Sequence, residues 1–408
     1  MPQPRSLVVL FLLTAMPAAA TTPLARRPGE PASLPDGSGV YVFDLDTGMT
    51  PSPWGVPAES IVENRSFLSK PVDCGTQSHG SLMGGIIANP TFGKAPGVKL
   101  VSYQVGGCDD NSVQEDAVLA ALQETLRKIQ GGMRPAVVLL EYDFYGTKTS
   151  AAEEALYQAL HLAGVPLIGA AGNNAGDSCK NSPADSPEVF VAGGLTADQQ
   201  AIWQNSATGA CVTLWAQAQG VLAYSEPGGF NVSGNGTSAS AALFAAGVAL
   251  TLQEIPGATP SEVMQFILMN SRWSVLPPSP ILDLDALRRA TTQPCAIGPT
   301  NLCLGAGGRF RVEVLWTANG TSGQGQAISR TADTGEFWFF DPSNIELIAK
   351  VIDGCALGNR FWFFAGGLTN VDVAISVTDT ATGRVREYQS RAGTPFQPIQ
   401  DTNAFPCQ

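Results

Sequence analysis

The 408-residue sequence contains only two histidines, and its 23 lysines and arginines are outnumbered by 35 acidic residues. The resulting net charge of −12 argues against nucleic acid as a partner, because phosphate contacts need clustered basic side chains. No apolar run after the first twenty residues is long enough to span a membrane. The eight cysteines include no CxxC spacing, which disfavours a thiolate metal site relative to disulfides.

The first twenty residues have the features of a secretory signal. Arg5 supplies a positive charge, residues 7–15 form a short apolar core, and residues 18–20 are alanines typical of a cleavage site. An uncleaved anchor is the alternative. Cysteines are frequent in exported proteins, so we expect a secreted protein, extracellular or periplasmic, without membrane attachment after cleavage. Residues 21–38, rich in Pro, Ala and Gly, are predicted to be a linker.

Between residues 39 and 290, apolar strand-like segments alternate with helix-like segments. The predicted strands are 40–46, 99–105, 136–140, 166–171 and 189–192. Apolar strand centres separated by helices predict an α/β fold with a parallel sheet covered on both faces. Residues 291–408 instead contain short segments with period-two alternation, which predict a C-terminal all-β domain with a sandwich-like architecture.

Three segments carry signals for the start of a helix. Residues 112–115 and 150–153 have the Ser-x-x-Glu pattern of a capping box. Residues 259–262 have Thr and Glu at the same spacing, with proline at the first helical position. Each segment therefore predicts that a helix begins there.

A nucleophile is suggested by residues 235–242, where Ser238 opens a helix rich in alanine and glycine. In the first turn of a helix the backbone N–H groups are unpaired and the dipole favours negative charge. An attacking oxygen and an oxyanion are both stabilised in such a place. The alternative interpretation is a Gly-Thr-Ser loop that caps a buried helix.

If Ser238 is a nucleophile, His79 is its base, because His161 lies in the last turn of a helix, where a structural role is expected. Asp46 closes a buried strand, and a histidine partner would explain a charge in that position. Its alternative role is to bond the following turn. Asn173, in a Gly-Asn turn, is a candidate oxyanion donor or a plain turn residue.

The chain resembles subtilisin-type serine peptidases, most closely their proteinase K and aqualysin branch. The resemblance covers about residues 39–285. The motifs that carry it occur in the family order: Asp46-Thr47-Gly48, His79-Gly80-Ser81, Gly172-Asn173 and Gly236-Thr237-Ser238. The resemblance implies a subtilisin-like three-layer fold and an endopeptidase that acts on polypeptides; we expect a monomer. It also implies structural calcium, for which the sequence offers no recognisable ligand set; no metal-binding residue and no other cofactor are predicted.

The resemblance also implies two disulfides, Cys74–Cys108 and Cys179–Cys211. The remaining cysteines lie in the C-terminal region. Cys295–Cys303 and Cys355–Cys407 are plausible pairs there, but all three connectivities are open.

The chain departs from the family in its substrate-binding strand. The family's Ser-Leu-Gly-Gly aligns with Glu141, Tyr142, Asp143 and Phe144, and the first three are the candidate substrate-binding residues. These side chains would narrow the S1 pocket, favour basic residues or block the cleft. Two hypotheses follow: an active endopeptidase, or a catalytically impaired binding protein with the same fold. A sedolisin-type peptidase, which uses a Glu base, is a third.

Overall fold

A computed structural model describes residues 34–108, 113–272, 280–292, 295, 298–305, 308–380 and 384–407. The predicted signal sequence and residues 21–33 of the predicted linker lie outside the described residues. No helix among the described residues has the length and apolar character needed to cross a membrane.

A seven-stranded parallel sheet forms the centre of the N-terminal region, with the strand order β2-β3-β1-β4-β5-β6-β7. Its strands are β1 (Tyr41–Asp46), β2 (Ile61–Ser66), β3 (Lys99–Gln104), β4 (Ala136–Leu140), β5 (Leu167–Ala170), β6 (Val189–Leu195) and β7 (Val212–Gln217). Every residue of β4 is buried, as expected for a central parallel strand that is covered on both faces. The predicted parallel sheet is therefore confirmed.

Helices cover both faces of this sheet. They are α1 (His79–Ala88), α2 (Glu115–Gln130), α3 (Ala151–Leu162), α4 (Thr237–Glu254), α5 (Pro260–Met269) and α6 (Leu284–Thr292). One core contains α1, α4 and alternate strand residues such as Val42 and Leu139. The other contains α2, α3 and the intervening residues, such as Phe43 and Leu140. Because strand side chains alternate, successive buried residues of the central strands β1 and β4 belong to opposite cores.

Helices begin in all three predicted segments, and two of them have the expected capping box. Ser150 and Thr259 form capping boxes with Glu153 and Glu262, in which each partner bonds the other's backbone N–H. The third helix, α2, also begins in its predicted segment, at Glu115, but its N-cap residue is Gln114, which makes no side-chain bond, in place of the predicted cap by Ser112. Ser112 itself lies outside the described residues.

Helix α4 runs through the core, and its small residues permit close packing. A Cβ atom at Gly247 would lie 3.2 Å from Leu284 and 3.3 Å from Leu287, both on α6. Glycine fits so near the neighbouring helix, whereas even the Cβ of alanine would require these leucines to move by a few tenths of an ångström. The small residues after Ser238 are likewise buried, in the part of α4 that packs against the sheet.

Four strands of this region do not appear among the predicted ones. Besides β2 and β7 they include β8 (Val221–Ser225) and β9 (Asn231–Gly234), which form an antiparallel hairpin. β2 is an edge strand whose polar residues are largely exposed, so its sequence lacks the apolar run of a central strand. The β8–β9 hairpin leads directly into α4.

The C-terminal region contains two five-stranded sheets that share one apolar core. The first sheet consists of β10 (Asn301–Leu304), β11 (Phe310–Ala318), β12 (Thr321–Gln324), β17 (Asp372–Asp379) and β18 (Arg384–Ser390). The second consists of β13 (Gln326–Ser329), β14 (Thr334–Trp338), β15 (Leu347–Asp353), β16 (Arg360–Gly367) and β19 (Ile399–Pro406), with a short helix α7 (Cys355–Gly358) between β15 and β16. All strand pairs in both sheets are antiparallel, which confirms the predicted all-β architecture.

Candidate active site

The four residues predicted to carry the chemistry lie together at one end of the central sheet. Asp46 is the last residue of β1, and His79 is the first residue of α1. Asn173 lies in the turn after β5, and Ser238 lies in the first turn of α4. All four line a single cleft of about 500 Å³. The fold thus gathers distant parts of the sequence at the carboxyl ends of parallel strands, where α/β sheets usually bind ligands.

Asp46 and His79 form a hydrogen-bonded pair. The Nδ1 atom of His79 lies 2.7 Å from Oδ2 of Asp46, whose other oxygen accepts a bond from the Thr47 N–H. The Asp46 side chain is 1% exposed and that of His79 34%, so the imidazole reaches the cleft while the carboxylate is sealed beneath it. A Cβ atom at Gly80 would lie 2.6 Å from a backbone oxygen, so glycine lets α1 approach β1 this closely.

The pKa of His79 reflects opposing effects. Burial lowers the pKa of the imidazole, but the charge and hydrogen bond of Asp46, with the charges of Glu141 and Asp44, outweigh it and raise the pKa to about 10. A base with this pKa is largely protonated at neutral pH. The surroundings of His79 therefore favour the imidazolium over the neutral imidazole.

Asn173 is held by the start of α4. Its side-chain oxygen accepts bonds from the Thr237 N–H at 2.9 Å and from the Thr237 hydroxyl at 3.0 Å. The same hydroxyl accepts a bond from the Gly172 N–H. With its oxygen so engaged, the amide leaves its two N–H donors for the cleft that Asn173 lines. This arrangement is suited to stabilising an oxyanion.

Ser238 follows Gly236, the N-cap residue of α4, and lines the cleft opposite His79. In the part of the chain that the structure describes, no hydrogen bond joins its hydroxyl to the imidazole. The hydroxyl instead interacts with the Glu141 carboxyl and lowers the pKa of that group. Catalytic hydrogen bonds are often long in ligand-free structures and tighten when the substrate binds.

The three candidate substrate-binding residues also line the cleft, in different ways. Glu141 is 7% exposed, and neither of its oxygens has a hydrogen-bond partner among the described residues. Burial raises its pKa to about 8. Tyr142 is 5% exposed, and its hydroxyl bonds Tyr157 in the core behind the cleft. Asp143 is half-buried at the wall of the cleft.

Two further residues of this region were not anticipated from the sequence. Asp44 lies on β1, is 1% exposed and has no hydrogen-bond partner for either oxygen among the described residues. Its place two residues before Asp46 was the available signal, because alternate strand residues share a face. Tyr145 accepts a bond from the Asn173 N–H at 3.0 Å, and its ring packs on Gly172. No sequence pattern indicates that contact.

Two disulfides lie in the segments that flank the cleft. Cys74 precedes α1 and is bonded to Cys108, while Cys179 follows the Asn173 turn and is bonded to Cys211. These are the partners that the resemblance implies. In the C-terminal region Cys295 is bonded to Cys303, and Cys355 to Cys407.

Among the described residues, one group of three potential metal donors lies close together: Asp353, Cys355 and Cys407. The two cysteines are bonded to each other, so they offer no thiolate to a metal ion. The donor chemistry therefore does not fit a metal site there.

The comparison with known families agrees with this fold and cleft. Residues 70–293, more than half of the chain, match the Subtilase family of peptidases, Peptidase_S8. The matched segment includes His79, Asn173 and Ser238 and begins after Asp46. The chain belongs to the Subtilase family.

Individual relatives are similar over the same region. Proprotein convertase subtilisin/kexin type 9 of Rattus norvegicus is 32% identical over 263 residues, 60% of this chain and 37% of that protein. A subtilisin-like protease of Coccidioides posadasii (strain C735) is 28% identical over 239 residues, 57% of this chain and 56% of that protein. The match thus spans less than half of the first relative and little more than half of the second.

A solved structure confirms the fold class. The crystal structure of a cold adapted subtilisin-like serine proteinase superposes with a TM-score of 0.52 at 25% identity, covering 62% of this chain and 87% of that one. The N-terminal region therefore has the subtilisin-like α/β fold, followed by antiparallel all-β strands.

Proposed function

We propose that the chain is a secreted serine endopeptidase that hydrolyses peptide bonds through Asp46, His79 and Ser238. The observation that carries the proposal is one cleft lined by these residues and Asn173, with Asp46 bonded to His79 at 2.7 Å. Membership of a peptidase family implies a polypeptide substrate.

Each residue has a distinct part in the proposed mechanism. Asp46 orients the imidazole, and His79 takes the proton of Ser238 and later gives it to the leaving amine. Ser238 forms the acyl-enzyme, and water then releases the acyl group. The Asn173 amide and the N–H groups at the start of α4 stabilise the oxyanion of each tetrahedral intermediate.

A second candidate is a binding protein that keeps the fold without the activity. It is favoured by the contact of Ser238 with Glu141 in place of a bond to His79, and by Tyr145, which covers Gly172 and bonds Asn173. In both contacts a side chain from the segment after β4 interacts with a residue of the proposed reaction, Ser238 or Asn173. This candidate predicts a folded protein with an unreactive serine.

Covalent labelling with a fluorophosphonate probe distinguishes the two candidates. Purified protein would be incubated with the probe between pH 6 and pH 10, with the Ser238→Ala variant as the control. Labelling of the native chain but not of the variant supports the peptidase. Absence of labelling at every pH, in protein shown to be folded by circular dichroism, overturns it in favour of the binding protein.

The remaining assignments belong to the same proposal. The positions of Cys74–Cys108 and Cys179–Cys211 support the proteinase K and aqualysin branch. We also propose cleavage of a signal at residues 1–20, a linker over 21–38, a peptidase domain over 39–290, a β-domain over 291–408 and a monomeric state. N-terminal sequencing and light scattering of the exported protein test these points.

A further inference from the structure

Three carboxyl side chains lie on one face of the central sheet beside His79. Asp44 and Asp46 alternate on β1 with residues of the α2–α3 core, so they face α1 and α4. Glu141 directly follows Leu140, which pairs with Leu45 in the register between β4 and β1. The Glu141 N–H donates to the Leu45 carbonyl at 3.1 Å, so the parallel register continues to Glu141 beside Asp46.

These carboxyls have too few partners. Asp46 is bonded to His79 and to the Thr47 N–H. By contrast, no oxygen of Asp44 or Glu141 has a partner with hydrogen-bond geometry among the described residues, and the Ser238 hydroxyl interacts with Glu141 without that geometry. No lysine or arginine is among the described residues that line the cleft. His79 is therefore the one cationic side chain that acts on three buried acids.

The Glu141 oxygens are also sealed from solvent. A substrate side chain approaching through the cleft would not touch them without a rearrangement. The groups that do act on Glu141 are His79 on α1, Asp46 on β1, Ser238 on α4 and Asp143 on its own segment. Its surroundings thus link Glu141 to the proposed base and nucleophile rather than to the substrate.

We propose that Glu141 is a positioning residue that holds His79 in its protonated form and so sets the pH at which His79 can activate Ser238. The inference rests on the proposed function, since it gives His79 the role of base. When Glu141 is ionised, its negative charge stabilises the imidazolium. An imidazolium accepts no proton from Ser238.

The titration of the two groups supports this view. Burial raises the pKa of Glu141 to about 8, and the charge of Asp46 adds to the effect. Burial lowers the pKa of His79, but Asp46 and then Glu141 raise it to about 10. Between these values the ionised Glu141 faces a protonated His79. The two groups titrate as a coupled pair. Removing the carboxyl of Glu141 therefore changes the pH at which the imidazole of His79 becomes neutral.

Nuclear magnetic resonance of histidine tests the inference directly, because the chain contains only two histidines. The imidazole signals of ¹³C-histidine-labelled protein would be followed from pH 5 to pH 11, and the His161→Gln variant would assign them. In Glu141→Gln we expect the His79 pKa to fall by about one unit or more, since one facing negative charge is removed. The same substitution at the exposed Glu59 is the matched control and should leave the His79 pKa unchanged.

The pH profile of fluorophosphonate labelling is the second measurement. In Glu141→Gln its rising limb should move to lower pH, with faster labelling between about pH 8 and pH 10, where the native Glu141 is ionised. At pH 7 the native Glu141 is mostly protonated, so labelling there should change little. If Glu141→Gln does not fold, Glu141→Met replaces it, because methionine fills the space without needing a hydrogen-bond partner.

The outcomes separate the two proposals. An unchanged His79 pKa in Glu141→Gln, with native-like labelling at every pH, overturns the role of Glu141 and leaves the peptidase intact. The role of Glu141 is also overturned if the labelling rate decreases by the same factor at every pH, so that the pH profile does not shift. A shifted His79 pKa in a protein that never labels supports the electrostatic link but refutes the proposed function.

Discussion

The two histidines of the chain each lie beside a carboxylate, yet their surroundings differ. His79 bonds Asp46 at the mouth of the cleft, with Nδ1 2.7 Å from Oδ2. His161, near the end of α3, has its Nδ1 2.9 Å from an oxygen of Glu188, without the geometry of a hydrogen bond. The first pair shares its cleft with the Ser238 hydroxyl and the Asn173 amide, whereas His161 and Glu188 do not line that cleft. A His–carboxylate pair alone does not define a site.

Solvent access distinguishes the two pairs further. The carboxylate of Asp46 is 1% exposed, whereas that of Glu188 is 22% exposed. Water near Glu188 weakens the charge interaction, while a sealed carboxylate acts on its imidazole through a poorly screened medium. We therefore expect substitutions at the first pair to change chemistry and those at the second to change stability slightly.

Removal of each imidazole is expected to give the largest contrast. His79→Ala should lower kcat for a peptide substrate by about 10⁶-fold, because loss of the base disables the whole catalytic unit. His161→Ala should leave kcat unchanged. Steady-state hydrolysis, with circular dichroism to verify folding, measures both. Equal losses of kcat in the two variants would mean that the position of His79 in the cleft gives it no special role.

Substitution of the two carboxylates should give the same contrast in kcat, with a large loss at Asp46 and none at Glu188. Asp46→Asn should lower kcat by about 10⁴-fold, because the amide no longer holds the imidazole in the required tautomer. Glu188→Gln is the matched control and should retain native kcat. If Asp46→Asn kept its activity, the 2.7 Å contact with His79 would be structural only.

The amide of Asn173 is expected to have a smaller effect. Asn173→Ala should lower kcat by about 10²–10³-fold with little change in KM, since the amide bonds the oxyanion and not the ground state. Asn174 is the matched control, because its side chain accepts a bond from the Gly176 N–H and does not line the cleft. A rise in KM without a fall in kcat would contradict the oxyanion role of Asn173.

The sequence predicts those parts of the fold that a local pattern dictates. β1 and β4 are apolar and buried, so their prediction is accurate to within one residue. β2 is an edge strand with few apolar residues, and nothing in it indicates pairing with β3. The Ser-x-x-Glu pattern at 112–115 correctly indicates where α2 begins, but not its N-cap residue, which is Gln114 and makes no side-chain bond.

The candidate site shows the same limit. Asp46 and His79 were predicted from motifs, and their bond follows from the register of β1 and the close approach of α1 at Gly80. The lack of hydrogen-bond partners for the Glu141 carboxyl could not be predicted, because it depends on which side chains the neighbouring elements place beside it. Sequence patterns report the residues that are present, whereas burial and absent partners appear only when the chain is folded.

The smallest expected effect concerns the helix that carries His161. Ser150 caps α3 by accepting a bond from the Glu153 N–H, so Ser150→Ala should lower the free energy of unfolding by about 1 kcal/mol. Urea denaturation measures this change as a lower midpoint at constant slope. The fluorophosphonate labelling rate should stay at the native value, because α3 contributes no residue to the lining of the cleft. Slower labelling in this variant would show that the His161 region is coupled to the His79 region, and the contrast between the two histidines would then be one of degree.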